Sequence, residues 1–474
     1  MADRHDRNDR HDGVEAWLSQ HIEPLPPPPG TFELIKRRAR RRKFRKLAIT
    51  AASAAVLVAA AVTVPQVVNL NVLSPNPTSG VAAGQHSSAT PATGGGSAQS
   101  SAATRTPAPT PAALGPPPVP PDFRPTSVTF VGTATGWVIG QAGTPGRCAT
   151  RYCTSLARTD NAGRTWTGVP APLTGAADGA TGVSKVRFLN LADGWAFGPQ
   201  LFVTHTGGQS WAPVDTHGLR VTALETVGNR VFAVFASCTG SGPAYAAQCT
   251  SFTLYSSSAA REDWAPVGAA TTGLTDGAAS EAVSLVLTGS RGYLLAPGGT
   301  LYAGPVDGTA AWQRAGSLVS SCTVGPAQSD GQPTGALLGA VNAMNLILAC
   351  PSSSSGGSHL VSRQQKPVFS SSNGGASWLQ MGSAPAAGVA YWLAAGPSGA
   401  VVLGTDQGID VLPAGETAWQ PATLSGGGPA GGFGYVGMTT SEQGIALPAD
   451  PYYGTIWFTF DGGRTWQASR LNGS

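Results

Sequence analysis

The stretch that most constrains this chain is Thr459-Phe460-Asp461-Gly462-Gly463-Arg464-Thr465-Trp466, because the sequence before it carries the same pattern in worn copies. Close copies are Thr159-Asp160-Asn161-Ala162-Gly163-Arg164-Thr165-Trp166, Thr204-His205-Thr206-Gly207-Gly208-Gln209-Ser210-Trp211 and Ser371-Ser372-Asn373-Gly374-Gly375-Ala376-Ser377-Trp378. Each copy reads as a turn with a mechanism. A short acceptor side chain (Asn161, Thr206, Asn373, Asp461) bonds backbone N–H groups just ahead of it and holds a tight reversal. The glycines, among them Gly163, Gly208, Gly375 and Gly463, supply positive φ at little steric cost. The tryptophans Trp166, Trp211, Trp378 and Trp466 then open a strand and offer a large apolar plug to a sheet-on-sheet core.

The turns punctuate a larger unit of four apolar runs. Unit two shows it best: Val186-Arg187-Phe188, Gly194-Trp195-Ala196-Phe197, Leu201-Phe202-Val203, then the strand led by Trp211. Further units close on Trp264, Trp312 and Trp419, where the turn has degraded and the tryptophan persists. Successive closing tryptophans lie 45, 53, 48, 66, 41 and 47 residues apart. A period of about 40–50 residues with four strands per unit predicts an all-β fold, a seven-bladed β-propeller over residues 122–474. Degenerate turns leave six or eight blades open. The long fifth interval reads as an insertion around Cys322 to Ser358, rich in Ser, Gly and Ala.

The turn pattern resembles the Asp-box, or BNR repeat, of sialidases, sortilin-type receptors and photosystem II assembly propellers. The resemblance implies a structural turn between the third and fourth strands of each blade, with Asp461 and its equivalents neither catalytic nor calcium ligands. It also allows a check for sialidase chemistry, which needs three arginines from separate blades, a Tyr–Glu nucleophile pair, an Asp acid/base and a Phe-Arg-Ile-Pro stretch. Asp122-Phe123-Arg124-Pro125 lacks the Ile and reads more simply as the end of a Pro-rich linker. The five glutamates after the apolar stretch (Glu225, Glu262, Glu281, Glu416, Glu442) stand in no recognisable tyrosine-partner context.

Charge divides the chain. Residues 1–46 hold 12 Lys/Arg against 7 Asp/Glu, and residues 47–474 hold 17 against 18, which argues against nucleic acid as the large domain's partner. Residues 36–46 carry nine positive charges, and residues 47–68 carry none. Those 22 residues would rise about 33 Å as a helix, enough to span a bilayer. The expected organisation is therefore a cytoplasmic basic tail (1–46), a transmembrane helix (47–68), a disordered Pro/Ser/Thr-rich linker (69–121) and an extracytoplasmic propeller, with an uncleaved signal anchor. Arg41-Arg42-Lys43-Phe44-Arg45-Lys46 also resembles a twin-arginine export core, and Ala59 to Ala61 would permit cleavage. In the tail, Val14, Trp17, Leu18 and Ile22 share one helical face, so residues 13–46 offer a docking element for a cytoplasmic partner.

All six cysteines (Cys148, Cys153, Cys238, Cys249, Cys322, Cys350) follow the apolar stretch, which predicts disulfides in an oxidising compartment. Six cysteines allow 15 pairings. Spacing favours Cys148–Cys153, Cys238–Cys249 and Cys322–Cys350.

No nucleophile elbow, zinc-protease helix, P-loop or dinucleotide fingerprint stands in a convincing context, and His205, His217 and His359 form no ligand-spaced cluster. The sequence thus assigns no catalytic residue, no metal site and no cofactor. The expected function is a membrane-anchored, non-catalytic binding or scaffold module for a protein, glycan or wall ligand on the propeller face. A transmembrane sensor whose tail docks a regulator, arranged as anti-sigma regulators are, is the alternative, although the tail has no Cys for the usual zinc motif. A sialidase-like exo-glycosidase is the second alternative.

Overall fold

The computed structural model describes residues 117–144, 147–148, 151–175, 181–239, 248–274, 283–296, 299–319, 322, 336–350, 366–385, 387–450 and 454–471. Across them run seven antiparallel sheets in chain order, at residues 124–169, 185–213, 220–266, 284–317, 337–384, 390–421 and 433–470. In each, four consecutive strands pair as a simple meander, and the blades are numbered one to seven below. The seventh carries an extra outer strand, Thr423–Ser425, which pairs in parallel with Thr465–Arg470.

Burial follows position in the blade. The second and third strands are covered on both faces, and their sequences are near-continuous apolar runs: Gly194–Phe197 and Leu201–Thr204 are buried at every residue. Outer strands such as Gln313–Ser317 face water and are polar. The cores therefore lie between blades. Val402, Ile409 and Val411 of blade six, for example, pack with Val436, Trp457 and Trp466 of blade seven. First strands of successive blades run side by side around one axis. Val186 N–H donates to Ser127 Oγ at 3.2 Å and Phe188 N–H to Thr129 Oγ1 at 3.4 Å, which sets blade two parallel to blade one.

The ring closes between blades seven and one through side chains, and among the described residues no strand is exchanged between the two blades. Gln443 Nε2 donates to Thr133 O at 2.9 Å and Ser469 Oγ to Gly163 O at 2.7 Å. The Phe130 and Phe458 rings meet edge to face, 6.0 Å apart. The Pro-rich approach takes part as well. Val119 and Phe123 are buried in the same cluster as Leu471, and Pro117 O accepts from Gly168 N–H at 2.8 Å. Asp122-Phe123-Arg124-Pro125 is thus part of the closure, with Arg124 opening the first strand.

Two sequence expectations need correction. The segment from Cys322 to Ser358 is no simple insertion: Leu337–Ala340 and Leu346–Ala349 are the first two strands of blade five. Their short apolar runs are masked in the sequence by the Ser/Gly/Ala-rich residues around them. The closing tryptophans also divide into two groups. Trp166, Trp312 and Trp466 are buried plugs, whereas Trp211, Trp264, Trp378 and Trp419 lie half-exposed where the outer strand is short or polar.

Three disulfides join Cys148 to Cys153, Cys238 to Cys249 and Cys322 to Cys350. The second links register partners on neighbouring strands of blade three, and the third is buried in the blade four–five core. The proposed tail, span and most of the linker lie outside the described residues. Among the described residues no helix is long and apolar enough to cross a membrane.

Candidate functional site

The four predicted turns share one hydrogen-bond set. The opening hydroxyl (Thr159, Thr204, Ser371, Thr459) accepts the N–H of the second glycine (Gly163, Gly208, Gly375, Gly463) at 2.8–3.1 Å. The side-chain oxygen of Asn161, Thr206, Asn373 or Asp461 accepts the N–H four residues on at 2.9 Å in every copy. The residue between donates its N–H to the first hairpin of its own blade: Ala162 to Ala134 O, Gly207 to Ala192 O, Gly374 to Met344 O, Gly462 to Glu442 O, at 2.8–2.9 Å. Asp461 is fully engaged, since Oδ2 also accepts from Thr465 Oγ1 at 2.6 Å. Burial works to raise its pKa, but the hydrogen bonds from Thr465 and Thr459 outweigh it and hold the carboxyl below its ordinary value.

The second glycine has a further task that sequence reading missed. It abuts the preceding blade. A Cβ on Gly163 would lie 2.2 Å from Phe458, on Gly375 2.1 Å from Leu301, and on Gly463 2.9 Å from Val402. The aromatic residue of the second strand reaches across the same joint. Trp137 Nε1 donates to Gly207 O at 3.1 Å, and Tyr293 Oη to Ala343 O. Blade three has lost the turn glycines, and there the Glu262 carboxylate takes over: it accepts Trp195 Nε1 at 3.2 Å and Trp264 Nε1 at 2.9 Å. Burial raises its pKa, and the two indole bonds work against that rise. The recurring Gly-Trp at 136–137 and 194–195 was the sequence signal for this joint. The acceptors and opening hydroxyls of the motif are therefore occupied in holding their own turns, and the second glycines and second-strand aromatics in joining neighbouring blades.

What remains open is the channel the first strands surround. In antiparallel meanders with parallel first strands, the first-to-second hairpins and the third-to-fourth turns emerge on one face. At that face two cavities of ≈ 560 and ≈ 520 Å³ open on the axis, one walled by blades one, two, three and seven, the other by blades four to seven, with Met438 in both walls. In the larger, Arg187 of blade two pairs with Glu225 of blade three, Nε to Oε1 at 3.0 Å. Arg187 Nη1 also donates to Val186 O at 2.9 Å and Ser127 Oγ at 3.3 Å. Burial alone would lower the guanidinium's pKa, yet Glu225 and Tyr435 together leave it raised. Burial raises the Tyr435 phenol as well, against the pull of Arg187. Tyr435 lies beside Trp392 of blade six, ring centroids 5.1 Å apart. The smaller cavity is walled by small apolar residues such as Ala340, Ala343 and Ala395 together with the polar Thr288, Ser290 and Asn342. Among the described residues no three His, Cys, Asp or Glu side chains group as metal ligands would. The sequence did not single out Arg187, Tyr435 or Trp392, because no local pattern distinguishes channel-facing residues from those between blades.

No family model and no curated protein matches the chain. Solved structures resemble the chain at low identity. A structure of YCF48 bound to a D1 peptide is 15% identical over 73% of this chain and 95% of its own, with a TM-score of 0.42. A Mycobacterium tuberculosis puromycin-hydrolyzing peptidase is 12% identical over 76% and 56%, with a TM-score of 0.46. The GH74 enzyme of Niastella koreensis is 12% identical over 73% and 65%, with a TM-score of 0.35. At these identities and TM-scores the likeness brings neither a ligand nor an activity to this chain.

Proposed function

We propose that this protein is a membrane-anchored, extracytoplasmic recognition module that holds a protein, glycan or wall ligand at the turn face of its propeller without transforming it. The anchor rests on the nine positive charges of residues 36–46 followed by the uncharged residues 47–68. The observation that carries the recognition reading is the engagement of the charged groups at the channel. Arg187 and Glu225 pair with one another across a blade joint and Tyr435 lines the same cavity, so the mouth offers polar groups held in place. Fixed donors and acceptors in a concave site are what binding requires.

The test is to hold the full-length protein in detergent with labelled glycosides and peptides and follow both retention and product. Ligand retained and recovered unchanged is the expected result. Steady release of a cleaved product would overturn the non-catalytic reading and restore the exo-glycosidase alternative.

A further inference from the structure

We propose that the channel mouth binds a neutral pyranose ring of a glycan, laid against Trp392 and Tyr435 and hydrogen-bonded by Arg187 and Glu225; this rests on the recognition reading above.

The aromatic wall comes first. Trp392 sits on the innermost strand of blade six, Ala390–Ala395, and is 38% exposed, the one tryptophan among the described residues with so large an open surface. Packing does not require that surface to be open, since other tryptophans of this fold fill blade cores. Its ring is inclined 53° to that of Tyr435, and the two form an aromatic corner on adjacent first strands. Gly437 lets the tyrosine lie close, because a Cβ there would come within 2.7 Å of the Tyr435 hydroxyl. An aromatic face of this kind suits the C–H-bearing face of a sugar ring.

The polar wall is complementary to hydroxyl groups. Arg187 uses Nε and Nη1 within the protein, and Glu225 uses Oε1. Among the described residues Arg187 Nη2, Glu225 Oε2 and the Tyr435 hydroxyl make no hydrogen bond, and the two charged side chains retain 13% and 31% of their exposure. These three groups are a donor, an acceptor and one that serves as either, the set that a pair of neighbouring hydroxyls satisfies. Charge selects further. The guanidinium and carboxylate cancel, so a phosphate, sulfate or uronate would meet Glu225 and an ammonium would meet Arg187, each at a desolvation cost that a neutral ring avoids. The ≈ 560 Å³ cavity lined by Arg187, Glu225 and Tyr435 lies in the range of small-ligand pockets, about 300–1,000 Å³, and Trp392 stands beside that lining through its contact with Tyr435. An extended peptide docks best along a free sheet edge or linear groove. Here strand ends converge on a pit, which suits a compact ring.

The experiment applies full-length protein in detergent to an array that carries neutral oligosaccharides ending in glucose, galactose, mannose or N-acetylglucosamine, beside sialylated and sulfated glycans and unrelated decapeptides. Retention on a neutral group is expected. The Kd for that group should weaken at least tenfold in Trp392→Ala and about threefold in Tyr435→Phe, and Leu173→Ala on the exposed surface should leave it unchanged. Trp392 is exposed, and melting curves of both variants establish that they fold. Failure to retain any neutral glycan overturns the inference, as does binding confined to anionic glycans or peptides, or neutral binding that both channel variants leave intact. Peptide-only binding would leave the recognition reading standing, whereas cleavage of a bound glycan would overturn that reading instead.

Discussion

Thr459, Thr204, Thr159 and Ser371 are the residues on which each turn rests, and the oxygen they share is the hydroxyl. Thr459→Val keeps the shape but leaves Gly463 N–H, buried in the turn, without its acceptor. That loss should cost about 1–2 kcal/mol in denaturant unfolding. Asp461→Asn should be nearly neutral at pH 7, because Asn161 and Asn373 accept the same N–H in sister turns. The variant should differ from wild type in acid. The Asp461 carboxyl is held below its ordinary value, so its contribution is present above the unfolded pKa of about 4 and is lost as pH falls through the lower folded value. The asparagine has no such loss, so the stabilities of the two proteins should agree near pH 7 and separate in acid, where wild type falls by this contribution and the variant does not. Ala162 stands at φ 60°, where its sister turns have glycine. Ala162→Gly should therefore raise stability by about 0.5–1 kcal/mol, the strain relieved less the entropy glycine loses. The acceptor and the glycines of these turns were legible in sequence because a tight reversal demands those residue types. The second glycine's contact with the preceding blade was not, because the partner of Gly163 is Phe458, at the far end of the array.

Among elements, the outer strands separate two kinds of tryptophan that look alike in sequence. Trp466 is fully buried in the blade six–seven core, and Trp466→Ala should cost about 3–5 kcal/mol through the cavity it opens. Trp211 is half-exposed, so the matching variant should lose markedly less. Equal losses would contradict this placement of the cores. The joint between blades five and six holds a second testable pair. Lys366, on the third strand of blade five, donates to Pro385 O at 3.0 Å. Asp410, on the third strand of blade six, is pushed up to about 6 by burial, with Lys366 drawing it back. A raised folded pKa favours the protonated carboxyl, so its contribution is complete below about pH 4 and is lost as pH rises through about 6. With solvent screening at this half-exposed group the loss should be about 1–2 kcal/mol. Asp410→Asn should flatten the fall in thermal midpoint between those pH values. Blade five itself shows where patterning misleads: Leu337–Ala340 and Leu346–Ala349 are too short to stand out beside Ser- and Gly-rich neighbours, and only ring geometry requires them.

At the scale of the whole molecule, the period predicted a propeller counted as seven blades with six or eight left open, because no single unit can bury both faces of its sheet alone, and the seven sheets of the structure fix the count. The channel was not legible. Arg187, Glu225, Trp392 and Tyr435 come from four different blades, and only closure brings them to one axis. The account's central claim is that function is carried at that axis, on the turn face. The most direct measurement places a photoreactive residue at Met438, which both cavities share, and at Leu379 on the outer strand of blade five, 73% exposed, and irradiates the full-length protein in intact cells. The account predicts a discrete adduct from Met438 and none from Leu379. Adducts from Leu379 alone would place recognition on the blade edges and contradict it.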